Sequence, residues 1–141
     1  MILIHRDCDR GFHADIIANP GYIMPFEAIL KNLVERVPQA VGAILMDWEG
    51  EAVTEQCHCD PYDIRFIAAH KGIILARLTE MRSAAQTGDV EDVVVTSSKG
   101  HLIIGRVNQE YSLVMNIERS CPVAPALFHF RRAITELKRE I

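Results

Sequence analysis

The chain has 141 residues, of which 49% are apolar and 24% are charged, and its formal net charge is −4 at pH 7. This length suits one domain with a real hydrophobic core. The negative charge argues against binding of nucleic acid, which needs a basic surface, and against attraction to an anionic membrane. No apolar run approaches the roughly 20 residues that cross a bilayer. Charged residues interrupt the first twenty positions, unlike a signal peptide, so we expect a cytoplasmic protein.

Residues 1–23 show no hydrophobic periodicity. They mix charges of both signs and contain Asn19-Pro20-Gly21, a strong turn signal. We expect them to form a flexible N-terminal extension, or to result from an over-long start if Met24 is the natural first residue. The domain itself is predicted to occupy residues 24–141.

The first predicted helix opens at Pro25, because proline is favoured at the first helical position. Apolar residues then recur every three or four positions, at Phe26, Ile29, Leu30, Leu33, Val34 and Val37. Pro38 ends this helix. A strand that is apolar on both faces follows at 40–46, and the Asp-Trp-Glu-Gly sequence after it predicts a type I turn. The turn leads into a polar strand at 51–57, typical of a sheet edge.

A long middle helix is predicted between residues 60 and 85. It carries two apolar stripes, which is more apolar surface than one face of a sheet can bury. Ala68, Gly72 and Ala76 line up on it as a smooth ridge that allows close approach of another element. Contact across a dimer and packing on the helix's own sheet explain this ridge equally well.

Three strands follow at 91–97, 101–107 and 111–118. Their short connections are typical of an antiparallel meander. The chain closes on an amphipathic helix that begins at Pro122 or Pro125. The order of elements therefore predicts an α+β fold, in which three helices cover a five-stranded antiparallel sheet. We expect the long middle helix on one face and the two other helices on the opposite face.

No catalytic motif is present in the sequence. It contains no Gly-rich phosphate loop, no H-E-x-x-H zinc motif and no G-x-S-x-G nucleophile turn. Cys57-His58-Cys59 lacks the second cysteine pair of a zinc site, so reduced structural thiols are the better interpretation. We therefore expect a protein that is not an enzyme and that uses no cofactor and no metal.

Three segments carry a family resemblance: FEAILKNLVERVPQAVGAILMDWEGEAV, DPYDIRFIAAHKGIILARL and DVVVTSSKGHLIIGRVNQEYSLVMNIERS. Within them, the G-A-I-L-M-D-x-x-G hairpin and the K-G-H-L-I-I-G-R-V strand are the most telling. On these residues the stretch from Met24 to Ile141 resembles the roadblock/dynein light chain family, in particular the bacterial branch related to the gliding-motility GTPase-activating protein. The resemblance implies a profilin-like roadblock sandwich.

The resemblance also implies a homodimer in which the third strands pair edge to edge and the two middle helices lie side by side. The residues expected at this interface are Val93, Val94, Val95, Ala68, Gly72 and Ala76. The valine run agrees with this expectation, since an apolar edge strand needs a partner. The resemblance further implies binding to a small Ras-like GTPase, without catalytic residues in the domain itself.

Arg65, Arg77 and Arg82, on the predicted middle helix, are the candidate contacts with the GTPase. Nothing in their sequence context marks one of them as a catalytic finger. Two other functions compete with GTPase regulation. An adaptor would only scaffold other proteins, whereas a small-molecule sensor would need a cavity of roughly 300 Å³ or more between helix and sheet. The many large apolar residues favour a filled core over such a cavity.

Overall fold

The structure, a computed structural model, describes residues 24–58, 80, 86 and 88–141. Its elements in these ranges are α1 (Pro25–Arg36), β1 (Ala40–Asp47), β2 (Ala52–Cys57), β3 (Asp92–Thr96), β4 (Gly100–Arg106), β5 (Tyr111–Glu118) and α2 (Val123–Glu140). Each was expected from the sequence, and α2 begins directly after Pro122. The predicted extension at 1–23 lies outside the described residues, as does the predicted middle helix apart from Glu80.

The five strands form one antiparallel sheet in the order β2-β1-β5-β4-β3. β2 and β3 are therefore its edges. β1 and β5 join the first hairpin to the later meander, with Leu45 opposite Leu113 and Ala43 opposite Met115. The α+β class and the five-stranded antiparallel sheet are thereby confirmed.

Both described helices pack on the same face of this sheet. Buried side chains of α1, such as Leu30 and Leu33, and of α2, such as Phe130 and Leu137, belong to one apolar cluster with inward residues of β1, β4 and β5. The first and last helices thus share a face, as the sequence predicted. Neither is long and apolar enough to span a membrane.

The opposite face of the sheet is also apolar and buried. Ile44, Met46, Ile104 and Val114 form a second cluster there, with Leu102 packed against it. Because β1 contributes to both clusters, the prediction of a strand covered on both faces is confirmed. The predicted middle helix would cover this second face. It falls on residues 60–85, so the complete three-helix arrangement stays a prediction.

The hairpin between β1 and β2 has the predicted turn. Asp47 accepts a hydrogen bond from the Gly50 amide through its carbonyl oxygen (3.2 Å) and another from the Glu51 amide through Oδ1 (2.8 Å). Gly50 has φ +89°, a backbone conformation that favours glycine. Beyond the turn, Val53 is an extra residue in β2, because Leu45 pairs with Thr54 and Met46 pairs with Ala52. This bulge bends an edge strand and discourages unwanted pairing.

Candidate interaction surface

β3 is the apolar edge of the sheet. It pairs with β4 through the registers Val93↔Ile104, Val94↔Ile103 and Val95↔Leu102, and no other described strand pairs with it. Its outer row of backbone amide and carbonyl groups is therefore a template for a further strand. β2, at the other edge, is polar at three of its six positions and is bulged, so β3 is the better edge for pairing.

The three valines of β3 serve different faces of the sheet. Val94 packs against the cluster under α1 and α2. Val93 and Val95 point to the opposite face, because successive side chains of a strand alternate. Val93 is half-buried there, whereas Val95 is 40% exposed. An exposed valine on an open edge strand is apolar surface that a second strand could cover.

An ion pair fixes the beginning of β3 to α2. Arg131 donates from Nε to Asp92 Oδ2 at 2.7 Å and from Nη2 to Asp92 Oδ1 at 3.1 Å. Such a bidentate contact fixes the orientation of the guanidinium relative to the carboxylate as well as the distance between them. The hydrogen bond to Asp92, together with the charge of that carboxylate, raises the pKa of Arg131 further above its already high value. The guanidinium therefore stays protonated beside Asp92.

A buried histidine fixes the other end of β3. His101 lies opposite Thr96, and the Thr96 hydroxyl is 2.8 Å from His101 Nδ1. The other ring nitrogen, Nε2, lies 3.3 Å from the backbone oxygen of Arg119, at the turn into α2. The ring is only 5% exposed, so both nitrogens need such partners. The edge strand is therefore tied to the body of the domain at both ends.

Six of the predicted site residues lie outside the described residues. They are Ala68, Gly72, Ala76, Arg65, Arg77 and Arg82. Their assignment to a dimer interface and to a GTPase contact remains a prediction. Of the predicted interface, the structure therefore brings together only Val93, Val94 and Val95, on β3.

Cysteine chemistry is limited to two sites in the described ranges. Cys57 and Cys121 are both buried thiols. Burial raises the pKa of the Cys121 thiol, and the negative charge of Glu118 raises it further. No group of three His, Cys, Asp or Glu residues within residues 24–58 and 88–141 could hold a metal ion. Cys59, the second cysteine of the C-x-C sequence, is outside these ranges.

Two depressions are lined by described residues of α2. One, of about 440 Å³, runs along the outer surface of this helix beside Leu127 and Phe128. The other, of about 260 Å³, is polar and lies where α2 meets the start of β3 and the end of β4. The core between α1, α2 and the sheet is filled instead by large side chains such as Phe130, Leu30 and Met115, all of them fully buried.

Solved structures with the same arrangement identify the fold. The gliding protein MglB of Thermus thermophilus superposes with a TM-score of 0.75 at 18% identity, covering 84% of this chain and 92% of that one. MglB of Myxococcus xanthus gives a TM-score of 0.74 at 14% identity, covering 83% and 94%. A roadblock/LC7 domain of Streptomyces avermitilis gives 0.68 at 21% identity, covering 79% and 93%.

The chain has the roadblock/LC7 fold. The expected resemblance is therefore confirmed at the level of the fold, with MglB-like structures among its neighbours. The sequence itself matches no protein-family profile and no curated protein. The TM-scores show the shared fold, whereas sequence identities this low leave activity to be inferred from the surface.

Sequence reasoning missed several residues that shape this surface. His101 was one of six scattered histidines, and only the register with Thr96 and the approach of Arg119 explain its burial. Phe128 is 63% exposed and lies off the apolar stripe of α2. Residues two positions apart point to different sides of a helix. Since Phe130 is buried, the spacing could have indicated that Phe128 is exposed.

Proposed function

We propose that this chain is a roadblock-type binding module that forms a homodimer and regulates a small Ras-like GTPase in the cytoplasm, without catalytic residues of its own. The observation that carries the proposal is β3, an apolar edge strand held at both ends on a roadblock fold. Pairing of two copies along β3 would join two sheets and satisfy the open backbone groups. MglB, one of the structural neighbours, occurs in a tetrameric arrangement, which supports self-association.

Regulation by binding also fits the chemistry of the described surface. A regulator of this type acts by shifting the switch segments of its partner toward the arrangement that hydrolyses GTP. Such a mechanism requires a shaped, rigid surface and no acid, base or nucleophile in the regulator. A rigid edge strand and a filled core suit that role better than enzymatic turnover or the sensing of a small molecule.

The test is GTP hydrolysis by small Ras-like GTPases of the source organism, purified and loaded with GTP, with and without the full chain. We expect at least one of them to release phosphate at least about tenfold faster when the chain is present, which corresponds to an activation barrier lower by about 1.4 kcal/mol or more. Binding without acceleration would assign the chain to the adaptor class. No binding to any of them in either nucleotide state would contradict the proposed function.

The arginines predicted to contact the GTPase give a finer test. We expect Ala at Arg65, Arg77 or Arg82 to weaken GTPase binding modestly, by about 1 kcal/mol each, with salt-dependent association, as for charges at the rim of an interface. A single substitution that lowers the stimulated rate about a thousandfold while binding persists would reveal a donated arginine finger. That result would overturn the non-catalytic mechanism, whereas the proposal that the partner is a small Ras-like GTPase would stand.

A further inference from the structure

The outward side of α2 is unusual for a helix that packs on a sheet. Ala124, Phe128, Arg131 and Thr135 recur at intervals of four, three and four residues, which places them on one side of the helix, away from the buried Phe130. Leu127 and Arg132 border this row. We call these six residues the outer α2 face; they line the depression of about 440 Å³.

An exposed aromatic residue lies in the middle of this face. Phe128 is 63% exposed, and its ring packs edge-on against His129, with 5.4 Å between ring centroids. Single exposed apolar residues are common on protein surfaces. Here, however, the half-buried Leu127 and the small Ala124 adjoin the ring, so a hollow with an apolar wall forms. Its volume is within the range of pockets that bind large side chains or ligands.

The charge of α2 is opposite in sign to that of the chain. The helix carries Arg131, Arg132, Lys138 and Arg139 against two glutamates, whereas the whole chain has a net charge of −4. Arg131 uses two of its donors on Asp92, and Arg132 uses one on Glu136. Because a guanidinium has five N–H donors, both side chains have further donors beyond these contacts, and both are more than half exposed.

The apolar hollow beside Phe128 and the positive charge of α2 together indicate which kind of partner fits this face. We propose that the outer α2 face docks an acidic amphipathic helix of another protein. A bulky apolar residue of that helix fills the hollow beside Phe128, and its carboxylates meet Arg131 and Arg132. The row from Ala124 to Thr135 covers about three helical turns, roughly 16 Å, which matches the i, i+3/i+4, i+7 anchors of helix recognition. A basic or purely apolar helix would lack the charge complementarity.

The outer α2 face is distinct from the open edge of β3 but meets it at one residue. Val93 and Val95 point to the face of the sheet that α1 and α2 do not cover, whereas Arg131 of the outer α2 face also pairs with Asp92 of β3. The docked helix would therefore lie on the helix-covered side of the sheet, next to the proposed dimer edge. One dimer would present two such docking faces, so the module could hold a third protein while it acts on a GTPase. The proposal does not depend on the identity of that GTPase.

Two fluorescein-labelled 18-residue synthetic helices test the proposal with the full chain by fluorescence anisotropy. One carries Leu on one face and Glu on the flanks, and the other has Lys in place of every Glu. We expect the acidic peptide to bind at least about tenfold more tightly than the basic one, and its affinity to fall as salt rises. Phe128→Ala should weaken it at least about tenfold, since an aromatic anchor carries much of the binding energy.

Two further variants separate docking from a general loss of structure. Trp48→Ala removes another highly exposed aromatic residue, 74% exposed at the tip of the β1–β2 hairpin, and should leave the affinity unchanged. Arg132→Glu should weaken the acidic peptide and strengthen the basic one, a reversal that unfolding cannot produce. Equal affinity for the two peptides, or no effect of Phe128→Ala, would overturn the proposal. If Phe128→Ala sedimented with a smaller mass than the wild-type chain, the outer α2 face would be a contact between two copies of the chain. That result would also overturn the proposal.

Discussion

Two glycines of β4 determine how closely neighbouring elements approach this strand. A Cβ atom at Gly105 would lie 2.6 Å from Phe130 Cε1 and would also collide with Ile134, so α2 packs directly on the strand backbone. A Cβ atom at Gly100 would lie 2.6 Å from the backbone oxygen of Ile117 on β5. Real Cβ contacts are longer than this, so in both cases a side chain of any size would displace its neighbour.

Gly105→Ala should destabilise the domain by about 1–3 kcal/mol, the usual cost of overpacking a core. Chemical denaturation measures this loss. Phe130→Leu should also destabilise, yet it removes the ring that the new methyl group meets. The double variant should therefore lose less stability than the sum of the two single changes. Strict additivity would show that the strand and α2 do not meet at Gly105.

The Cys121 thiol provides a test by chemical labelling. Because burial and Glu118 raise its pKa, less of it is thiolate near neutral pH than in an unperturbed cysteine, whose pKa is about 8.5. Alkylation followed by peptide mass spectrometry should find Cys121 labelled slowly at pH 8, with a rate that increases up to a pH above that ordinary value. The same peptide should be labelled fast in denaturant. Rapid labelling of the folded protein at pH 7 would contradict the burial of this thiol.

At the scale of elements, β3 is held by side-chain contacts in addition to its backbone pairing with β4. As an edge strand it has hydrogen bonds to β4 on one side only among the described residues. The Asp92–Arg131 pair fixes its first residue and the Thr96–His101 contact fixes its last. In the proposed dimer, these two contacts would hold the edge strand in the geometry that pairs with a second strand.

Arg131→Gln should loosen the beginning of β3. Hydrogen exchange should become several-fold faster for the β3 amides and stay unchanged in β5, whose neighbours are β1 and β4. Arg132→Gln is the matched control, because Arg132 is similarly exposed and, among the residues that the structure describes, pairs with Glu136 on its own helix. Equal effects of the two variants on β3 would show that the ion pair with Asp92 does not hold the strand.

At the scale of the whole molecule, hydrophobic patterning predicted the described helices and strands, although the pairing of β1 with β5 was not among its predictions. The run from Ala40 to Met46 became a strand buried on both faces, and β5 is also buried on both, because Val114 lies in the second cluster. Periodicity reports which residues are buried. It does not report how closely two elements approach each other, so the contact of Gly105 with Phe130 could not be predicted from it. Nor does it report the polar partners of a buried histidine, because Thr96 and Arg119 reach His101 only through strand pairing and a turn.

The edge of β3 is the surface on which we expect two copies of the chain to meet. We expect the wild-type chain to sediment as a dimer at micromolar concentration, and Val95→Lys to shift it toward monomer. Val95 is 40% exposed in the single chain, so a lysine there should leave the fold intact. In a dimer paired along β3 the same lysine would be buried without a partner, at a cost of several kcal/mol, which is at least about a hundredfold in the dissociation constant. Val53→Lys is the matched control, because Val53 is 38% exposed on the opposite edge strand. A monomeric wild type, or equal dissociation of the two variants, would show that β3 is not the surface on which two copies meet.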